Sequence, residues 1–337
     1  MRITEGLVSC RICGNERDNS RFRSREMMFG TREEFDYFQC GSCGCLQIER
    51  FPEDMSRYYS RGYYSLEPGF AERLAFQLRD EFALTGKSII GRMVFYLYPN
   101  YALSHISRLC IPLSARILDV GCGSGLMIDC LTRNGFDNVT GIDPYLDSDI
   151  VLRSGAQLKK ASIEDEKGQW DLVMFHHSLE HLPSPLSALA HAQQLLARDG
   201  MCLVRVPTVS SYAWERYGTN WVQLDAPRHF FLFSTAALKF LSRKAGFDVV
   251  NITYDSTPFQ LWGSEQYAMD IPLFSRRSLM KNPFSRSFSR AQKRDFRLLA
   301  RRLNEEERGD QISLVLKPSA PFGKSPGFEK GPGKDSG

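Results

Sequence analysis

Five of the chain's nine cysteines lie in its first 45 residues, at the spacing of a metal ligand set. Cys10 and Cys13 form one Cys-x-x-Cys knuckle, Cys40 and Cys43 a second, and Cys45 follows as a spare or substitute ligand. Such a knuckle lets two thiolates reach one tetrahedral ion at about 2.3 Å. Gly14 and Gly44 each follow a second cysteine, where the tight turn favours a residue tolerant of positive φ. The stretch between the knuckles can hold a hairpin, around Arg32 to Phe38. Disulfides are the competing use of these thiols. The N-terminus, MRITEGLVSCRICG, lacks the long apolar stretch of a secretory signal, so a cytoplasmic chain with reduced cysteines is expected. Four cysteines close a tetrahedron and leave no open position. The expectation is therefore structural Zn2+ on Cys10, Cys13, Cys40 and Cys43, with no catalytic part. Cys110, Cys130 and Cys202 sit in apolar surroundings and read as core residues, as does Cys122.

The second constellation is Asp119-Val-Gly-Cys-Gly-Ser-Gly125. Gly121, Gly123 and Gly125 let the backbone turn sharply and pass close to a ligand. A dinucleotide fingerprint would need its third glycine at position 126, which is Leu126. Asp119 would repel a pyrophosphate and attract a cationic amino-acid moiety. Asp143, at the end of the next apolar run, can accept both hydroxyl hydrogens of a ribose. The ligand described by these charges has a ribose, a cation and no phosphate. S-adenosylmethionine has that composition.

Positioning these groups requires alternating strands and helices. Arg116 to Val120 reads as a strand, the glycines as a loop, Leu126 to Asn134 as a helix and Gly135 as its stop. Further strands are expected at Val139 to Ile142, Leu158 to Ser162, Trp170 to Phe175, Met201 to Val206, Phe247 to Tyr254 and Gln311 to Leu316, the last closing the far edge as an antiparallel member. A helix from Pro185 to Ala197 lies between two of them. This alternation predicts an α/β, Rossmann-like, seven-stranded and mostly parallel sheet with helices on both faces, plus a small N-terminal zinc ribbon.

On these motifs the chain resembles the class I S-adenosylmethionine-dependent methyltransferases. Asp119 to Gly125 matches their first motif and Asp143 their ribose acid. Ser162-Ile163-Glu164-Asp165 stands where that family lines the adenine, although Ser162 replaces a frequent Asp. His177-Ser-Leu-Glu-His181 and Asp225-Ala-Pro-Arg-His229 look like segments of one large branch, as does Ala245-Gly-Phe247. The resemblance covers roughly 110–255 and implies a cofactor site of Asp119, Gly121, Cys122, Gly123, Gly125, Asp143, Pro144, Ser162, Ile163 and His176. His177, Glu180, His181 and His229 are the implied acid, base or acceptor contacts. In some ubiquinone-pathway relatives the Glu-His pair helps bind a divalent metal, which this sequence does not require. Members with an N-terminal four-cysteine module are familiar from bacterial sugar and polysaccharide biosynthesis. The resemblance thus implies O- or C-methylation of a sugar or glycan acceptor.

The whole chain divides into a ribbon at 1–50, a helical cover at 51–110, the core at 111–255, a basic helical insertion at 256–309, a last strand at 310–317 and a disordered tail at 318–337. The aromatic pairs Tyr58-Tyr59 and Tyr63-Tyr64 read as packing residues. Arg228 can serve either an anionic substrate group or a salt bridge to Asp225. The 43 Lys and Arg against 39 Asp and Glu leave only +4, which gives nucleic acid little to grip. An RNA base methyltransferase would also carry an Asn- or Asp-Pro-Pro-aromatic loop where this chain has His-His-Ser-Leu. That total conceals a stretch from Arg276 to Arg302 in which Asp295 is the lone acid. Peripheral contact with an anionic membrane, or with a diphosphate-bearing substrate, is the functional use of such a stretch, and a solvated helix face the simpler one. No apolar run is long enough to span a bilayer. Oligomeric state leaves no mark in the sequence.

Overall fold

The computed structural model describes residues 8–59, 70–282 and 285–319. Tyr63, Tyr64 and the segment 320–337, to which packing and tail roles were assigned, lie outside the described residues. In chain order the elements are β1 (Ser20–Arg25), β2 (Glu34–Gln39), β3 (Leu46–Ile48), α1 (Phe70–Thr85), α2 (Ile89–Leu97) and α3 (Tyr101–Arg108). The core follows with β4 (Arg116–Val120), α4 (Leu126–Arg133), β5 (Asn138–Ile142), β6 (Ile150–Val151), β7 (Gln157–Lys159), β8 (Trp170–His176), α5 (Pro185–Leu195) and β9 (Leu196–Pro207). Then come α6 (Tyr212–Tyr217), β10 (Phe231–Leu232), α7 (Thr235–Lys244), β11 (Phe247–Tyr254), α8 (Phe259–Ala268), α9 (Arg290–Glu305) and β12 (Gln311–Pro318).

The large sheet runs β11-β12-β9-β8-β4-β5-β7-β6. Its centre is parallel, through β9–β8, β8–β4, β4–β5 and β5–β7. It is a Rossmann-like, mostly parallel α/β sheet, with one strand more than the seven expected: the two-residue β6, antiparallel to β7. The last strand is not at the edge. β12 inserts between β9 and β11, antiparallel to both, and β11 is the outer member. Ile312, Leu314 and Leu316 are fully buried on one face and Ser313 on the other, as a strand inside the sheet requires. Pro318 ends this strand and is not the start of a tail.

Alternate side chains of the central strands serve the two layers. Val173 and Phe175 of β8 join Ala188, Leu189 and Ala192 of α5 and Leu238 and Leu241 of α7 on one face. Leu172 and Met174 join Leu103 and Ile106 of α3 and Ile128 and Leu131 of α4 on the other.

The cysteine module is not a separate body. Its strands β1, β2 and β3 form a sheet whose fourth member is β10 of the core, with Phe231 paired to Gln47 and Leu232 to Leu46. The hairpin is β1 with β2 and so begins well before Arg32. Cys10, Tyr37, Phe38 and Leu46 share one continuous buried cluster with Phe175, Val204 and Phe233. The insertion at 256–309 completes the join. Leu273 and Phe274 donate backbone N–H groups to the carbonyls of Met27 and Met28, and Val222 N–H donates to Ser264 Oγ of α8.

Candidate functional site

β4 ends on the glycine loop, where the N–H groups of Gly121 and Cys122 both donate to the Ile142 carbonyl of β5. Gly121 has φ 75°, a left-handed conformation, and a Cβ there would lie 2.5 Å from Ser178 Cβ. A glycine is therefore required on both steric and conformational grounds. Ser178 in turn donates its hydroxyl to the Val120 carbonyl, tying the tip of β8 to that of β4.

These strand ends open into one large cleft, bordered by Asp119 to Ser124, Asp143 to Tyr145, Ala161 to Glu164 and His176 to Ser178. α1 forms a wall from Leu74 to Glu81. Every cofactor residue inferred from sequence borders this cleft except Gly125, which begins α4 with φ 77°. Asp143 accepts N–H groups from Gly123 at 3.0 Å and Tyr145 at 2.8 Å, which fix its carboxylate while leaving acceptor capacity for hydroxyls. Ser162 donates its hydroxyl to Asp165 Oδ2 at 2.8 Å and holds the turn. Ile163 is buried beneath.

Asp119 is almost wholly buried, and its Oδ1 has no hydrogen-bond partner. Burial, and then the Asp143 charge, push its pKa up to about 8. An orphaned buried carboxylate costs free energy unless a cation meets it. The cleft thus fits a ligand with a cationic group at Asp119 and hydroxyls at Asp143.

The histidines divide into a front and a rear layer. His181 lines the cleft. Its Nδ1–H donates to the Arg228 carbonyl at 2.8 Å, with the Tyr59 hydroxyl 3.1 Å away, so its lone pair is on Nε2. Burial and the neighbouring His229 lower its pKa, which keeps the ring neutral near pH 7. His177 also lines the cleft, at φ 54°, but its Nε2 accepts from Arg205 Nη1 at 2.8 Å. A guanidinium has no lone pair to offer, so the His177 lone pair is occupied and its proton is on Nδ1, 3.3 Å from Glu180 Oε1. This removes His177 from the role of base that the sequence allowed it. His176 is pushed well below its ordinary pKa by burial and by Arg205, and it borders the cleft as a neutral ring.

His229, implied as an acid, base or acceptor contact, is not in the cleft wall. It is 5% exposed, and its Nδ1–H donates to the Gln223 carbonyl at 2.7 Å. Glu180 is fully buried beside it and equally absent from the cleft wall, with its Oε1 3.3 Å from His177 Nδ1. Burial alone would raise its pKa, but His177, His181 and His229 lower it below the ordinary value. Ligand atoms of Glu180, His181 and His229 all lie within 4.8 Å of one another.

Five side chains at or behind the site were not recognised from sequence. Arg205 of β9 is anchored by Asp255, whose Oδ2 also meets His105 Nε2 at 2.8 Å, and this chain sets the His177 ring. An arginine inside the apolar run Cys-Leu-Val-Arg-Val was the available signal. Tyr59 and Tyr145 stack at 5.9 Å over the cleft mouth, so the first aromatic pair is divided. Tyr58 is buried and donates to Glu33, whereas Tyr59 faces the site.

In the ribbon, Cys10 and Cys43 sulfurs lie 3.6 Å apart, as do those of Cys13 and Cys40, and all four fall within 4.8 Å. A tetrahedron with 2.3 Å bonds has edges of about 3.8 Å, so the set fits zinc. Backbone N–H groups of Ser42 and Cys43 point at Cys40 Sγ, and Gln47 Nε2 at Cys10 Sγ, the outer-shell donors such sulfurs need. Cys45, read as a spare or substitute ligand, stands outside the set and is buried against the core.

A doubly wound sheet with an acid-glycine loop after its first core strand and a second acid after the next is the architecture of class I methyltransferase domains. Residues 95–252 match the family model described as a methyltransferase domain. The chain is 27% identical over 171 residues to the ubiquinone biosynthesis O-methyltransferase of Psychrobacter arcticus, an alignment covering 44% of this chain and 65% of that one. It is 31% identical over 156 residues to the protein of the same name from Nitrosococcus oceani, covering 41% and 65%. The chain therefore spans just under two thirds of the length of these relatives. A solved S-adenosylmethionine-dependent methyltransferase from Mesorhizobium loti aligns over 64% of this chain and 97% of its own, with 15% identity and a TM-score of 0.41.

Proposed function

We propose that the protein transfers a methyl group from S-adenosylmethionine to a hydroxyl of a small-molecule acceptor. The observation that carries this is the orphaned buried carboxylate of Asp119 beside the tethered Asp143, in the cleft of a matched methyltransferase domain. The cofactor, when bound, supplies an electrophilic methyl group. The chain's own part is to hold donor and acceptor in line. It also removes the acceptor proton. His181 is the residue for that step, because it lines the cleft, is neutral, and has its tautomer fixed by the Arg228 carbonyl. Glu180 and His229 stand behind it and orient the charge that develops there.

His181→Ala is expected to lower kcat by about 10²–10⁴ while leaving S-adenosylhomocysteine affinity within a few-fold of wild type. Turnover equal to wild type would remove His181 from the reaction. The same geometry supports a second reading, in which Glu180, His181 and His229 hold a divalent cation. Both histidines donate Nδ1–H to carbonyls, as metal-ligating imidazoles do. Stimulation of the purified enzyme by added Mg2+ or Mn2+ would favour it.

The relatives are named as O-methyltransferases of ubiquinone biosynthesis, whereas a sugar or glycan acceptor rests on the ribbon alone. Labelled methyl transfer into lipid-quinone, sugar-nucleotide, glycan and total-RNA extracts separates these acceptors. Label entering RNA alone would overturn the proposal.

The cysteine set is proposed to hold structural Zn2+ in a reducing, cytoplasmic setting. One equivalent of zinc per chain is expected by elemental analysis. Cys13→Ser with Cys40→Ser should abolish it and lower the melting temperature by about 10 °C or more. A metal-free protein of unchanged stability would refute the site.

A further inference from the structure

Helix α2 presents an apolar row to solvent. Ile89, Ile90, Met93 and Leu97 recur at helical spacing and are each 61–77% exposed, with Tyr96 and Tyr98 beside them. Soluble chains rarely leave so large a contiguous apolar face bare. The face adjoins the basic helix α9. The Arg301 guanidinium lies 4.7 Å over the Tyr96 ring and donates to its hydroxyl at 3.4 Å, and Arg297 acts on the same phenol. Arg294, Arg297 and Arg301 are exposed along α9, and among them Leu298 is itself 56% exposed. Asp295 is the lone acid from Arg276 to Arg302.

From this juxtaposition we propose that α2 and α9 together form a docking surface for an anionic phospholipid bilayer, with the α2 row and Leu298 entering the acyl boundary and the arginines meeting the headgroups. Charge complementarity selects this occupant. A row of aliphatic and aromatic side chains bordered by exposed guanidinium groups is the composition that binds negatively charged interfaces. Among the described residues no helix is long and apolar enough to cross a membrane, so the contact is peripheral. The inference is independent of which acceptor is methylated.

The full-length protein is mixed with phosphatidylcholine vesicles, with and without phosphatidylglycerol, and sedimented at low and high salt. Binding is expected only with phosphatidylglycerol, and to fall steeply as salt is raised. Each arginine near such a surface contributes roughly five-fold in partitioning, so Arg294→Gln with Arg297→Gln and Arg301→Gln should weaken it about 100-fold. Ile90→Glu with Met93→Glu should also abolish binding, whereas cofactor affinity of both variants stays at the wild-type value. Absence of lipid binding by wild type, or binding unchanged in both variants, overturns the proposal. So does a wild-type mass of two protomers that falls to one in Ile90→Glu/Met93→Glu, which would assign the face to a second copy. Should either variant fail to fold, the dependence of the wild type on lipid charge and salt still decides.

Discussion

Asp119→Asn is expected to raise the melting temperature of the free protein and to weaken S-adenosylmethionine binding about 10- to 100-fold, the range for losing a charge-assisted contact. Both effects follow from one buried carboxyl. Its pKa in the folded chain is pushed up to about 8 by burial and by Asp143, against an ordinary value near 4. A raised carboxyl pKa means that its contribution to stability is fully present below the unfolded value and is lost as pH rises through the folded one. Between about pH 4 and 8 the free protein therefore loses stability from this group, and the amide removes that loss. Ligand binding runs the other way. Below pH 8 the carboxyl must release its proton to meet the cationic amino group, so affinity should rise with pH. Above about 8 the ligand's own α-amino group deprotonates and affinity should fall again. Calorimetric titration with S-adenosylhomocysteine from pH 6 to 9 tests this, and a flat profile or unchanged affinity in Asp119→Asn would place the cation elsewhere. Stability given up at a binding residue is an ordinary trade-off.

What could be read from the sequence depended on whether the signal was local. The glycine loop is local: Gly121 must be glycine because its own φ and the nearby Ser178 demand it, and the acids at 119 and 143 sit at strand ends whose position the apolar pattern fixes. The four cysteines are local for the same reason. Choosing among the histidines was not possible in this way, since each choice turns on a partner far away in the chain. His177 is occupied by Arg205, which is set by Asp255, and His229 is buried by loop 225–229 folding inward onto the ribbon. Tyr59 differs from Tyr58 only in which side of the chain meets the cleft. Likewise β12 reads as a strand from its alternation, but its insertion between β9 and β11 depends on hydrogen-bond partners that pattern alone does not name. The ribbon's boundary at 50 follows composition, whereas its sheet is completed by Phe231 and Leu232.

That fusion makes Arg228 the residue whose loss should cost the most stability. It is fully buried, with Nε and Nη2 paired to both oxygens of Asp225, Nη2 also 3.0 Å from Glu26 Oε1, and Nη1 donating to the Tyr58 carbonyl. The sequence left open an anionic substrate for Arg228, and these contacts assign it to the interior. Glu26 belongs to the ribbon, where it also accepts the N–H groups of Phe29, Gly30 and Thr31, so one guanidinium joins the ribbon to the loop that carries His229. Arg228→Met leaves two carboxylates buried without their cation and should destabilise the fold by about 3–5 kcal/mol. Burial raises the Asp225 pKa, but the Arg228 charge and hydrogen bonds, with His229 and His181, together lower it below the ordinary value, so this contribution is present above the ordinary carboxylate range and is lost as pH falls through the lowered value. The gap between wild type and Arg228→Met should accordingly narrow on acidification. Adding Glu26→Gln and Asp225→Asn to Arg228→Met should recover much of the loss, because the penalty comes from unpaired charge and not from missing attraction. Activity supplies a separate readout. The Arg228 carbonyl holds the His181 tautomer, so a displaced loop should reduce kcat well before it affects cofactor affinity, which depends on the other end of the cleft. Melting curves and kcat for the single and triple variants test this. A stable Arg228→Met with full turnover would mean that the ribbon and the site are held together by the shared sheet alone.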